Sequence, residues 1–98
     1  LQVDAISLIP EALELARMGI LPAGMYRNRT FDEKHVDAGT TELAVQDLLF
    51  DPQTSGGLLV ALPEADAKVL LAKLREHTPI AAIVGVVEEK GDKSLILE

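Results

Sequence analysis

Two apolar runs on either side of a helical repeat dominate the second half of the chain. Residues 58–62 are LLVAL and residues 81–87 are AAIVGVV. Continuous apolar runs of this length are typical of buried strands. Between them, Pro63 suits the first turn of a helix that runs to about His77. The i, i+3, i+4, i+7 spacing of this helix is carried by Ala67, Leu70, Leu71 and Leu74. The order predicts a crossover unit, right-handed if its strands lie parallel in one sheet.

The first half of the chain predicts one strand and two helices. Residues 3–8 alternate roughly between apolar and polar, which favours a strand. Pro10 opens a helix through Met18, and Gly19 is a natural left-handed stop. Thr40 or Thr41 is expected to cap a second helix that ends near Leu49, before a proline.

A turn at residues 90–92 and a short strand at residues 94–97 are expected to close the chain as a hairpin partner of the 81–87 strand. Together these elements predict an α+β fold, a mixed sheet with helices packed mainly on one face. Residues 21–39 show no periodicity and contain proline, two glycines, asparagine and scattered charge. They predict a long loop, a class of segment that is more often functional than accidental, although an unrecognised piece of helix or strand is the alternative.

Composition excludes several classes of function. The net charge of −7 disfavours binding to nucleic acid and to anionic membranes. The three aromatic residues, Tyr26, Phe31 and Phe50, are too few for a stacking platform. The chain contains no cysteine, so it has no thiolate metal site and no cysteine nucleophile, and no run is long enough to span a membrane. His35 and His77 are isolated, and no metal site is predicted.

The segment of residues 51–57, DPQTSGG, is the strongest candidate for chemistry. It lies between two apolar elements, and its paired glycines allow positive φ and close approach of the backbone to a ligand. Its backbone N–H groups can form an anion-binding nest, and two hydroxyls add further donors. The alternative is a tight turn in which Asp51, Thr54 and Ser55 satisfy local N–H groups.

A second candidate is the run from Gly24 to Arg29, in which Arg27 and Arg29 flank Asn28. The two guanidinium groups can reach a phosphate or a carboxylate. The equally open alternative is solvated charge on a mobile loop.

The run LLFDPQTSGGLLVALP, residues 48–63, resembles a signature of the selenide, water dikinase family, also called the selenophosphate synthetases. The upstream run GILPAGMYRNR, residues 19–29, is similar to the family's matching segment, in which a glycine is followed by an asparagine. The IVGVV run near the C-terminus fits as well, so the resemblance covers nearly the whole chain.

The resemblance implies an enzyme that makes selenophosphate from selenide, ATP and water, with AMP and phosphate as the other products. It implies ATP and Mg²⁺ in the whole protein, a cytoplasmic location, and a homodimer. The family shares its two α/β domains with aminoimidazole ribonucleotide (AIR) synthetase. Residues 1–98 would be most of the C-terminal domain, truncated on its N-terminal side and partnered by its own N-terminal domain. The chain begins with leucine, which agrees with a piece of a longer protein.

The catalytic Cys or Sec, the essential Lys and most Mg²⁺-binding aspartates of the family lie outside these residues. The resemblance therefore predicts no catalytic residue here, no tightly bound cofactor, no metal and no activity of this piece alone. The cleft-facing candidates are Asn28, Thr54, Ser55, Gly56 and Gly57, with Asp51, Pro52 and Gln53 as turn-forming or supporting residues.

Two alternatives remain open from the sequence. One is the matching domain of a sister enzyme, such as the hydrogenase maturation factor or thiamine phosphate kinase. The other is a stand-alone binding module without enzymatic activity. A truncated domain also predicts uncovered apolar surface and self-association of the fragment.

Overall fold

The sheet is one parallel pair of strands, the first from the interior of the chain and the second near its C-terminus. The computed structural model describes all 98 residues and contains strands β1 (Val36–Asp37) and β2 (Leu95–Ile96), with Val36 opposite Leu95 and Asp37 opposite Ile96. The four helices are α1 (Pro10–Arg17), α2 (Ala23–Asp32), α3 (Leu43–Leu49) and α4 (Glu64–Arg75). Short 3₁₀ turns span Val3–Ala5 and Glu33–His35. The predicted α+β class is confirmed, with a sheet that holds two parallel strands only.

Helix α1 confirms the expected start and stop. Pro10 occupies its first turn with Glu11, and Arg17 lies in its last turn, where the helix dipole favours a cation. Gly19 has a φ of +76°, the left-handed conformation that glycine adopts without steric cost. The N–H of Gly19 donates to the carbonyl of Ala16, which closes the helix.

Helix α2 corrects the prediction that residues 21–39 form a loop. These residues contain a helix, a 3₁₀ turn and strand β1. Met25 is the one large side chain of the whole chain that is fully buried, with 0% exposed. Because α2 buries a single apolar residue, it lacks the repeating pattern that reveals a helix in sequence, and its contact with α3 stabilises it instead.

Helix α3 confirms a helix before the proline, but not its predicted cap. Glu42 is the residue that precedes the helix, and no side chain caps it. Neither Thr40 nor Thr41 serves as the cap, and the N–H of Thr41 donates to the carbonyl of Ala38. Helix α3 packs between α1 and α2. The small core consists of residues from these helices and from the segment that follows β2: Ala16, Met25, Ala44, Asp47 and Leu97.

Helix α4 is confirmed, but the strands predicted on either side of it are wrong. Residues 58–62 and 81–87 form no ladder, so the crossover unit is absent. Leu58 is 94% exposed and Val87 is 85% exposed. A buried parallel strand needs a ladder of hydrogen-bonded neighbours and a covered face, and neither run pairs in a ladder in this chain.

The last strand is confirmed, but its partner and the first strand were predicted wrongly. Strand β2 pairs in parallel with β1 rather than forming a hairpin with residues 81–87. Residues 3–8 hold a 3₁₀ turn instead of a strand. The N-terminal backbone nevertheless lies beside the C-terminus, because Val3 donates to the carbonyl of Glu98 and Gln2 donates to that of Val84, each at 2.8 Å.

Candidate functional site

Asn28 holds the start of the DPQTSGG segment, which we call the signature loop (residues 51–57). The loop follows α3 directly, and Phe50 is the residue at which that helix ends. The Nδ2 of Asn28 donates to the carbonyl oxygen of Phe50 at 2.9 Å. This bond satisfies a carbonyl at the helix end, where helices lack their own partners. Two regions singled out in the sequence, far apart along the chain, are thus in direct contact.

The first turn of α2 touches the same loop. A Cβ placed on Gly24 would lie 2.7 Å from the Cγ of Pro52 and 3.1 Å from its Cβ. The same position lies 3.7 Å from the Nη2 of Arg27. Asn28 and Gly24 are one helical turn apart, so one face of α2 contacts the loop at two successive points.

Arg29 forms an ion pair with Asp47, which sequence reasoning missed. Asp47 is 5% exposed, and the side chain of Arg29 is 25% exposed. The guanidinium also lies 5.5 Å from the ring centroid of Tyr26, within range of a cation–π contact. Arg29 therefore reaches a carboxylate of its own chain and joins α2 to α3. The sequence feature that could have indicated a buried Asp47 is its i, i+3 spacing from Ala44, which puts the two residues that α3 buries on one face of the helix.

The signature loop presents most of its side chains to solvent. Asp51 is half-buried, and residues 52–57 are exposed. The N–H of Gln53 donates to the carbonyl of Asp51 at 3.0 Å, which marks a tight bend at the start of the loop. The side-chain oxygen of Gln53 fills the space that a Cβ on Gly56 would need.

Two features that the sequence left open for the loop are absent from the structure. Neither Gly56 nor Gly57 has a positive φ, so close packing rather than a left-handed backbone accounts for Gly56. The side chains of Asp51, Thr54 and Ser55 make no hydrogen bond, so they do not cap the turn as the alternative required. The two hydroxyls are free to act as donors to a ligand.

The outer face of α2 carries a shallow, cationic depression of about 510 Å³. It is lined by Tyr26, Arg27, Thr30, Phe31 and Lys34. Arg27 has no acidic partner, and the ammonium of Lys34 lies 5.8 Å from the ring centroid of Phe31. Neither His35 nor His77 takes part in the contacts of the signature loop described above. No group of three or more metal-ligating side chains occurs in the chain, and none of its helices has the length and apolar character needed to cross a bilayer.

Comparison with known proteins finds relatives that share one name. The chain is 44% identical over 96 residues to "Selenide, water dikinase" of Clostridium botulinum (strain Eklund 17B / Type B), covering 97% of this chain and 28% of the relative. It is 47% identical over 93 residues to "Selenide, water dikinase 2" of Peptoclostridium acidaminophilum, covering 94% of this chain and 27% of the relative. Along nearly its whole length, the chain is therefore similar in sequence to proteins named selenide, water dikinase.

A further relative is the "Selenide, water dikinase" of Treponema denticola. It is 40% identical over an alignment of length 102 that covers 97% of this chain. The predicted resemblance is thus confirmed. The chain spans between a quarter and a third of the length of these relatives. No family model and no solved structure matches the chain.

Proposed function

We propose that this chain is the C-terminal part of an enzyme that makes selenophosphate from selenide, ATP and water, with AMP and phosphate as products. The observation that supports this most strongly is the similarity to proteins named selenide, water dikinase along nearly the whole chain. It favours this family over a sister ATP-using enzyme and over a stand-alone binding module.

The proposed role of this part is to shape the cleft in which the substrates react. Phosphoryl transfer depends on positioning and on neutralising charge on the phosphates, so hydroxyl and backbone donors at a cleft wall contribute without forming covalent bonds. Thr54 and Ser55 are exposed and free of internal hydrogen bonds. Asn28 contributes by holding the start of the loop, because its exposed side-chain amide donates to the carbonyl of Phe50.

The residues of this chain do not fit a Mg²⁺ cage. No three carboxylate or imidazole groups converge at any point of the chain. The binding of Mg²⁺ and of most of the ATP is therefore assigned to the rest of the parent protein, and this chain alone is expected to be inactive. An ATP-consuming reaction also fits the cytoplasmic location that we propose.

The exposed apolar residues support a partner for this chain. Leu58, Leu59, Val86 and Val87 are each at least 75% exposed, and helix α4 buries no residue. Monomeric proteins rarely leave so many large apolar side chains in water. We propose that the N-terminal domain of the same protein covers part of this surface, and that the parent enzyme is a homodimer.

A chimeric enzyme tests the proposed function. The 96-residue segment of the Clostridium botulinum relative that aligns with this chain is replaced by the chain itself. The chimera is supplied anaerobically with Mg-ATP and selenide, and AMP and selenophosphate are measured. The relative without that segment, and this chain alone, are the controls. Activity of the chimera and inactivity of both controls is the expected result. A folded chimera that makes no selenophosphate, beside an active intact relative, would overturn the proposal.

A further inference from the structure

Gly24 is a glycine that is needed for space and not for backbone freedom. It lies within α2, and its φ is not positive. Glycine lowers helix propensity, so alanine would be the better residue here on local grounds. The reason for glycine is outside the helix, because a Cβ would come within 2.7 Å of the Cγ of Pro52. Real Cβ atoms essentially never approach another carbon so closely, so one of the two segments would have to move.

Pro52 cannot give way by a side-chain rotation. Its Cγ belongs to a ring that is closed on the backbone nitrogen, so displacing the ring displaces the backbone. The next residue, Gln53, is tied back to Asp51 by a backbone hydrogen bond of 3.0 Å, so the bend would move with it. A larger residue at position 24 would therefore shift the signature loop.

The same helix fixes the loop at a second point. Asn28, one turn after Gly24, bonds the carbonyl of Phe50, two residues before Pro52. The ion pair between Arg29 and the buried Asp47 holds α2 against α3, so the helix is a firm support. The start of the loop is thus set by contacts with successive turns of α2.

We propose that Gly24 and Asn28 are positioning residues for the reaction, Gly24 by leaving room for Pro52 and Asn28 by holding the carbonyl of Phe50. This inference rests on the proposed function, because it assigns the loop a place in the substrate cleft. Neither residue needs to touch a substrate. Their effect is exerted through the position of Thr54 and Ser55, and misplacement by about 1 Å can lower a rate by on the order of 100-fold.

The test uses the active chimera described above with Gly24→Ala, Pro52→Ala and the double variant. Gly24→Ala is expected to lower kcat/KM by about 10- to 100-fold through kcat, with the thermal midpoint close to that of the parent chimera. Pro52→Ala removes the obstructing Cγ, so the double variant is expected to recover most of the loss. Asn28→Ala is expected to lower kcat as well. Asn28→Asp keeps the shape of the side chain but loses the amide donor to the carbonyl of Phe50, so it is also expected to lower kcat. Gly91→Ala is the matched control, since no atom lies within 4 Å of its Cβ position and its φ is not positive.

Hydrogen–deuterium exchange of the peptide that covers residues 51–57 gives a readout without catalysis. Gly24→Ala should speed exchange in this peptide, and adding Pro52→Ala should return the exchange rate toward that of the parent chimera. Parent-like kcat in Gly24→Ala, or a loss that Pro52→Ala does not relieve, would overturn the positioning role. If the parent chimera is inactive, the proposed function fails on its own, and the exchange measurement still decides whether Gly24 controls the loop.

Discussion

Arg17 donates two hydrogen bonds to the carboxylate of Glu42, Nε to Oε1 at 2.8 Å and Nη2 to Oε2 at 2.9 Å. This paired geometry joins the last turn of α1 to the residue that precedes α3, and it is the strongest arrangement for a guanidinium and a carboxylate. The hydrogen bond lowers the pKa of Glu42 below its usual 4.5 and raises the pKa of Arg17. The pair links the two helices that frame the core.

The first prediction concerns the acid stability of this pair. Because the folded pKa of Glu42 is depressed, its contribution is present above the unfolded value near 4.5 and is lost as the pH falls through the folded value. Arg17 stays charged throughout this range, since its hydrogen bond to Glu42 raises the pKa of a guanidinium that is already strongly basic. Glu42→Gln should lower the thermal midpoint slightly at neutral pH and reduce its fall on acidification, a small effect because both groups are exposed. Glu76→Gln, which removes an unpaired carboxylate, is the control, and equal acid profiles for the two variants would contradict the prediction.

The second prediction concerns Met25. Met25→Ala should destabilise the chain by about 2–5 kcal/mol, because a fully buried side chain is removed and leaves a cavity. Met18→Ala is the matched control, since Met18 is 72% exposed and its truncation should change the free energy of unfolding by less than about 0.5 kcal/mol. Denaturant unfolding of both variants measures the difference. Equal losses would mean that α2 does not form the core.

Met25 also explains where prediction from sequence succeeded and failed. Helices α1 and α4 carry their own start signals, Pro10 and Pro63, and α4 has a regular apolar repeat, so local rules were sufficient. Helix α2 has one buried apolar residue and is held by contacts with residues far along the chain. Such contacts leave no periodic trace in a single sequence.

The strand predictions failed for a related reason. The runs at residues 58–62 and 81–87 are as apolar as buried strands, but a strand exists only when a neighbour is available to pair with it. Strand β2 does have a neighbour, and that neighbour lies in the segment predicted as a loop. At the candidate site, the signature loop and Asn28 could be singled out from residue types. The hydrogen bond to Phe50, the contact of Gly24 with Pro52, and the role of Asp47 could not, since each depends on how α2 packs.

The third prediction concerns the buried ion pair. Asp47→Asn should destabilise the chain by about 1–3 kcal/mol, because the partly buried guanidinium of Arg29 loses its charged partner. Asp66→Asn is the control, since Asp66 lies in the first turn of α4 and is exposed. Urea unfolding gives the two free energies. A change for Asp47→Asn no larger than that for Asp66→Asn would show that the pair adds nothing to stability.

The fourth prediction concerns the hydroxyls of the signature loop. In the active chimera, replacing Thr54 and Ser55 by alanine should lower kcat/KM by at least about 10-fold, since a hydrogen bond to a charged group contributes roughly 1.5–3 kcal/mol. Stability should change little, because neither hydroxyl makes an internal hydrogen bond. Thr78→Ala removes another exposed threonine side chain and should leave the kinetics unchanged. If the double variant had the kinetics of the parent chimera, the two hydroxyls would have no role in the substrate cleft.

The fifth prediction concerns the uncovered apolar surface. At micromolar concentration the isolated chain should associate with itself, because large apolar side chains on residues 58–60 and 86–87 remain in water. Leu59→Lys combined with Val87→Lys should shift the population toward monomer, as measured by light scattering across a concentration series. Leu43→Lys, on the exposed side of α3, should shift it less. In the proposed enzyme the N-terminal domain covers the surface that a second copy of the isolated chain would otherwise cover. Adding that domain should therefore reduce self-association of the unmodified chain. A chain that is already monomeric at every concentration would mean that this surface does not drive association.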